Sequence, residues 1–276
     1  MRVGVYTGAN HPVGPALLAG FLSIGAQASA RNSQYHRGEV EGFDLVVVYG
    51  ARAGARVRQC YEAAGVPVVT VDWGYMARVN TREERETGHY QVGLGGLNSL
   101  PPFECPPDRF KALGVKVTAK GGNPEGYTLL IGQVPGDAAH GMDRAQMRRW
   151  LTAMAAQHPD VRYRPHPLGR IELPGVPELT GTLADALAGA RLVVTWNSNT
   201  GNDALLAGVP VVAHGPNAVY ADMCGETVPS VRARLAYFRR LAYAQWTLAE
   251  MRAGVCQRFV LDHLLPGKAP AKETKA

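Results

Sequence analysis

Short apolar runs alternate along the chain with stretches whose apolar residues recur at helical spacing. RVGVYT (2–7), DLVVVYG (44–50) and VPVVTVD (66–72) read as strands. The second is a nearly continuous apolar run, as a strand covered on both faces requires. HPVGPALLAGFLSIG (11–25) reads as a loop running into a helix, and ARVRQCYEAAG (55–65) as a helix that stops at Gly65. This βαβ rhythm predicts a parallel sheet. From about 74 to 125 the pattern weakens. GLGGLNSLPPFECPP reads as loop, and AKGGNPEG (119–126) as a linker with a domain boundary.

A second series follows. YTLLIGQV (127–134) reads as a strand, DRAQMRRWLTAMAAQH (143–158) as a helix, and VRYRPHP (161–167) as a strand and its exit. TLADALAGA (182–190), RLVVTWN (191–197), GNDALLAG (201–208) and VPVVAHG (209–215) continue as helix, strand, helix and strand. Over 230–265 the pattern is helical, with Leu235, Phe238, Leu241, Ala242 and Trp246 at helical spacing as core positions. The expectation is α/β: a doubly wound domain over 1–122, a second over 123–228, C-terminal helices over 229–265, and a disordered tail over 266–276.

Composition changes this picture little. A chain of 276 residues that is 46% hydrophobic has material for two cores. No apolar run reaches the roughly 18 residues of a membrane-crossing helix. The opening MRVGVYTGAN reads as a strand rather than a signal peptide, because its apolar run breaks at Gly8. Cys60, Cys105, Cys224 and Cys256 form no C-x-x-C pair and no zinc spacing. Scattered reduced thiols fit a cytoplasmic protein. The net charge of +6, carried mostly by Arg, suits a phosphate-bearing partner, either nucleic acid or a small anionic substrate.

Ligands of open α/β sheets lie beyond the carboxyl ends of the strands. Polar exits collect there at Thr7–Asn10, Asp72–Tyr75, Gly132–Gln133, Arg164–His166, Asn197–Gly201 and His214–Gly215. Several exits in each half imply a cleft between two facing domains. In RYRPHP, two prolines keep His166 out of any helix or ladder. An imidazole held in this way can donate to a phosphate, or simply bond a nearby carbonyl. In WNSNTGNDALLAG, Ser198 and Thr200 supply hydroxyls, and the helix start supplies N–H groups and partial positive charge. Asp203 is favoured on a first helical turn, and a carboxylate there can also accept from a ribose.

IGQVPGDAA, YRPHP and SNTGNDALLAGVPVVAHG, in this order over about 128–220, resemble motifs of the capsule polysaccharide biosynthesis glycosyltransferases of the Kdo-transferase type. The resemblance implies a GT-B fold, with two Rossmann-like domains and a nucleotide-sugar donor in the C-terminal one. It implies that Arg164 and His166 meet the donor phosphates, together with Ser198, Thr200 and the Gly201 backbone. Asp203 stands for the family's Glu at the ribose, and Gln133 belongs to the Gly-Gln-Val motif of the donor site. The co-substrate is a nucleotide sugar, a UDP-sugar ahead of a CMP-sugar, with no metal or other cofactor called for. VDWGY approximates the family's acidic-Gly-aromatic segment, so Asp72 is the candidate general base, or else caps the following turn. Glu104 and His11 are further candidates.

Small GT-B enzymes of bacteriophages also attach sugars to 5-hydroxymethylpyrimidines in DNA, an analogy of fold and size. Arg52, Arg56 and Arg58 cluster after one strand, Arg78, Arg82 and Arg85 follow Asp72, and Lys111, Lys116 and Lys120 precede the linker. Trp73, Tyr75 and Tyr90 lie among them. Arg52, Arg56, Arg78 and Arg82 could track a DNA backbone while Tyr75 stacks on an extruded base. Modified DNA is therefore favoured over a surface glycan as acceptor. A non-catalytic nucleotide- or nucleic-acid-binding module is the third reading.

Overall fold

The computed structural model describes residues 1–8, 11–79 and 81–265. The tail at 266–276 and part of the exit at Thr7–Asn10 lie outside the described residues. In chain order the elements are β1 (Arg2–Thr7), α1 (Val13–Ser23), β2 (Gln27–Asn32), β3 (Leu45–Tyr49), α2 (Ala55–Ala63), β4 (Val68–Trp73), β5 (His89–Leu94) and α3 (Asp108–Ala112). Then come β6 (Tyr127–Ile131), α4 (Arg144–Gln157), β7 (Val161–Arg164), α5 (Leu183–Ala188), β8 (Ala190–Thr195), α6 (Thr200–Ala207) and β9 (Val211–Ala213). The last are α7 (Val231–Tyr243), β10 (Gln245–Thr247), α8 (Leu248–Arg252) and α9 (Val255–Phe259). The chain forms two compact units: Met1–Leu113 with the residues from Arg239 onward, and Gly114–Phe238.

The first unit is built on a six-stranded sheet in the order β10-β5-β4-β3-β1-β2. The four strands from β2 to β4 are parallel, while β5 runs antiparallel to β4 and β10 antiparallel to β5. Leu45–Val48 of β3 are fully buried, as a strand covered on both faces must be. Val3, Val5 and Val47 pack with Leu17 and Phe21 of α1, and with Trp246 and Met251 from the C-terminal segment.

Three elements here escape the periodicity. β2 is an edge strand of half-exposed polar residues, QASARN, and carries no apolar alternation. β5 lies in the stretch read as loop. Trp246 lies on a strand, not on the helix its spacing suggested: α7 ends at Tyr243, and Gln245–Thr247 then pair with Gln91–His89. Residues 239–265 thus complete the first unit's sheet and core, where the sequence pattern set them apart as a helical segment.

The second unit has a fully parallel sheet in the order β7-β6-β8-β9. Leu130, Tyr163 and Val194 of its strands pack on Met147, Leu151 and Met154 of α4. Asp143 and Gln146 close a capping box at the start of α4, and Thr182 and Asp185 another at α5. The Gly-rich stretch read as a linker packs onto this unit. Thr118 N–H donates to Leu206 O, Gly121 N–H to Gly208 O and Asn123 N–H to Ala190 O. A Cβ on Gly121 would stand 1.9 Å from the Ala207 carbonyl oxygen, so only glycine fits that approach.

Candidate functional site

In the second unit the chain leaves β6 for β7 on one side of the sheet and resumes at β8 on the other. The crevice beyond β6 and β8 is therefore its topological switch point, where such sheets bind ligands. Gln133, just past β6, is 8% exposed. Its Nε2 donates to Asn197 Oδ1 at 2.9 Å, and its Oε1 accepts from Asn197 N at 3.0 Å. Asn197 Nδ2 donates onward to the carbonyls of Ala139 and Pro216, at 2.9 and 3.2 Å. Two buried amides must find partners, and by doing so they brace the exits of β6, β8 and β9 together. Gln133, expected to touch the donor, is thus a brace for the loops that surround it.

Past β8, Ser198 and Thr200 bond through their hydroxyls at 3.2 Å, and Ser198 O accepts from Tyr220 OH at 2.7 Å. The Gly201 N–H, expected at a phosphate, donates to Ser198 O at 3.0 Å. Gly201 is needed for another reason: a Cβ there would come within 2.0 Å of the Tyr220 ring. Asp203 is half-buried on the first turn of α6. Burial pushes the Tyr220 hydroxyl far above its ordinary range, and the Cys224 and Asp203 charges add to the rise.

The exit of β7 lies beside that of β6. A Cβ on Gly132 would meet Tyr163 Oη at 2.7 Å and His166 N at 3.1 Å, so Gly132 lets the two loops close up. Gly132 N–H donates to Arg164 O at 2.9 Å, and the Arg164 guanidinium to Gly181 O at 2.9 Å. The Leu168 N–H donates to His166 Nδ1 at 3.1 Å. A ring nitrogen that accepts carries no proton, so in the neutral imidazole the proton sits on Nε2. His166 is thereby set as an N–H donor at Nε2.

In the first unit, Asp72 Oδ2 accepts from Ala51 N and Oδ1 from Trp73 N, both at 2.8 Å. These bonds hold the carboxylate between the ends of β3 and β4. Tyr75 is 5% exposed and donates to Gln91 Oε1, while Tyr90 is fully buried and donates to Arg85 O. The expectation that Tyr75 stacks on an extruded base therefore fails: its ring is core. Trp73 keeps 44% of its surface exposed. Arg52, Arg56, Arg78 and Arg82 are all exposed, with Arg56 donating to Arg37 O, and Glu104 is exposed as well.

The solved structures that align over nearly the whole chain include two KpsC transferases. One is the KpsC β-Kdo 2,4 transferase of Thermosulfurimonas dismutans, with TM-score 0.60 and 19% identity, covering 90% of this chain and 92% of that one. The other is the KpsC β-Kdo 2,7 transferase of Thermosulfurimonas dismutans, with TM-score 0.52 and 17% identity, covering 92% and 99%. The chain has a GT-B-like fold. No family model matches it, and no curated protein does. At these identities the likeness is one of fold, and the site must be argued from its own residues.

Asn197 and Tyr220 are the site residues whose structural roles the sequence did not disclose. Asn197 lies two residues past an apolar strand, and a buried amide there could have signalled a brace. Tyr220 sits among loop residues with no pattern. His140, on the loop after β6, repeats the arrangement of His166: its Nδ1 accepts from Met142 N at 3.0 Å. Burial lowers its pKa against the opposing pull of Asp137. Among the described residues, no group of three or more His, Cys, Asp or Glu could hold a metal ion, and no helix is long and apolar enough to cross a membrane.

Proposed function

We propose that the chain is a glycosyltransferase that takes a nucleotide-sugar donor in its second unit and transfers the sugar to a hydroxyl acceptor. The observation that carries this reading is His166. It sits at a strand exit of a GT-B-like fold with its proton directed to Nε2, beside a switch point furnished with the Ser198 and Thr200 hydroxyls. In this reading His166 and Arg164 donate to the phosphates, and Asp203 accepts from the ribose. A UDP-sugar is the first donor to test and a CMP-sugar the second. The acceptor oxygen bonds to the anomeric carbon as the bond from that carbon to the phosphate oxygen breaks. The nucleotide leaves with the electron pair, and the acceptor proton passes to Asp72.

A glycan acceptor is the reading we favour. The fold relatives are Kdo transferases, and burial of Tyr75 and Tyr90 withdraws two of the three rings that argued for base stacking. Hydroxymethylated DNA remains the second reading, supported by the exposed Arg52, Arg56, Arg78 and Arg82 and the net charge of +6. The test offers each donor with an oligosaccharide and with DNA carrying hydroxymethylcytosine or hydroxymethyluracil, followed by mass spectrometry of both. A sugar mass gained by the oligosaccharide is expected. A gain on the DNA nucleosides instead would reverse the order of the two readings, and no gain on either, with no donor consumed, would count against transfer.

A further inference from the structure

The first unit repeats, at its own switch point, the arrangement of the second. Its chain leaves β1 for β2 on one side and resumes at β3 on the other, so β1 and β3 flank the crevice. His11 lies just past β1, and Tyr49 ends β3. The two rings stack with centroids 4.1 Å apart, and His11 Nε2 is 2.9 Å from the Tyr49 hydroxyl. His11 Nδ1 accepts from Val13 N at 3.4 Å, which leaves the proton on Nε2. His11 thus donates to Tyr49 oxygen and turns the hydroxyl's own proton elsewhere. Burial, with the Arg85 charge adding to it, lowers the His11 pKa to about 4, so the ring is neutral at ordinary pH.

Around this pair stand groups from the next two strands. Trp73 ends β4, directly opposite Tyr90 of β5. Their rings stack at 6.1 Å with planes 20° apart, and His11 meets Trp73 edge-on at 6.4 Å. One face of the indole is backed by a fully buried ring, yet 44% of its surface stays exposed. Asp72, one residue earlier, lies close enough for its charge to add to the rise in the Tyr49 pKa, whose main cause is burial.

We propose that Trp73 and Tyr49, with His11 behind Tyr49, form the seat for one pyranose ring of the acceptor. The proposal rests on the transferase reading and supplies its acceptor class. A pyranose has an apolar C–H face that covers an indole, and a rim of hydroxyls that both donate and accept. The seat offers a rigid indole and a hydroxyl donor. An extruded base is gripped between two aromatic or apolar side chains, and only one of the rings here is broadly exposed. His11 is a positioning residue: its bond to Tyr49 sets which way that hydroxyl donates.

The test uses the full chain and methyl pyranosides of gluco and galacto configuration as probes, with binding read by saturation-transfer NMR. Nucleotide binding is measured on the same samples. The wild-type chain should bind a pyranoside, and Trp73→Ala and Tyr49→Phe should each weaken it about tenfold or more while nucleotide affinity is kept. Thermal unfolding of each variant, followed by circular dichroism, shows that the first unit stays folded. Pyranoside binding that is absent in the wild type, or undiminished in both variants, overturns the seat. So does a hydroxymethylcytosine oligonucleotide that binds with Trp73 dependence where no pyranoside does. Loss of nucleotide binding in the wild type would instead strike the transferase reading, and Trp73-dependent pyranoside binding would survive it.

Discussion

His166 carries the most specific chemical claim. Its Nδ1 is occupied by the Leu168 N–H, so Nε2 is the donor it presents. His166→Ala should weaken nucleotide-sugar binding about tenfold, the scale of one charge-assisted hydrogen bond, as read by calorimetry. Asp72→Asn should lower turnover by about 10² or more if Asp72 takes the acceptor proton, with donor affinity unchanged. A substitution that lowered both alike would mark Asp72 as the structural anchor of Ala51 and Trp73. Gly201 is a third test at this scale. A Cβ there lies within 2.0 Å of the Tyr220 ring, so Gly201→Ala should cost about 1–3 kcal/mol in a denaturant titration.

Among the elements, the Gln133–Asn197 brace decides how the loops after β6, β8 and β9 are held. Each amide removed leaves buried partners unsatisfied, at about 1–3 kcal/mol. Gln133→Ala and Asn197→Ala should each destabilise, and the double variant should cost less than their sum. Arg234 plays a similar part behind α6. It is fully buried, and its guanidinium donates to the carbonyls of Pro229, Thr118, Leu205 and Ala119. Apolar periodicity disclosed the strands and helices around these groups, because burial on two faces writes itself as runs such as LVVVY. It could not disclose β2, which is polar and at an edge, or β10, whose Trp246 continued the spacing of α7 by coincidence. The polar exits were legible as a set, since short polar turns after apolar strands have few other causes. Which of their atoms are already spent on protein partners was not, because Gln133–Asn197 and Tyr75–Gln91 are contacts between distant parts of the chain.

At the scale of the whole molecule, acid should destabilise the protein through two successive pH windows. His11, His89, His140 and His214 all have pKa values lowered, chiefly by burial. The unfolded chain therefore binds more protons than the folded one as pH falls from about 6.5 towards the value of about 4 at His11, and stability declines through that window. Glu41, held low chiefly by Arg31, and Glu250, where burial pushes up but Arg109 and Thr247 together pull further down, add a further loss below the ordinary carboxylate range. Thermal unfolding followed by circular dichroism from pH 7 to 3 should show a falling midpoint across both windows, and a midpoint flat from pH 7 to 4 would contradict the first. In the proposed function, the second unit holds the phosphates of a nucleotide sugar at the exits of β6, β7 and β8. Calorimetric titration of the wild-type chain and His166→Ala with UDP- and CMP-sugars tests it most directly. Saturable binding of one donor, weakened about tenfold in the variant, is the predicted result. No binding by the folded wild-type chain, or equal affinity in the variant, would contradict it.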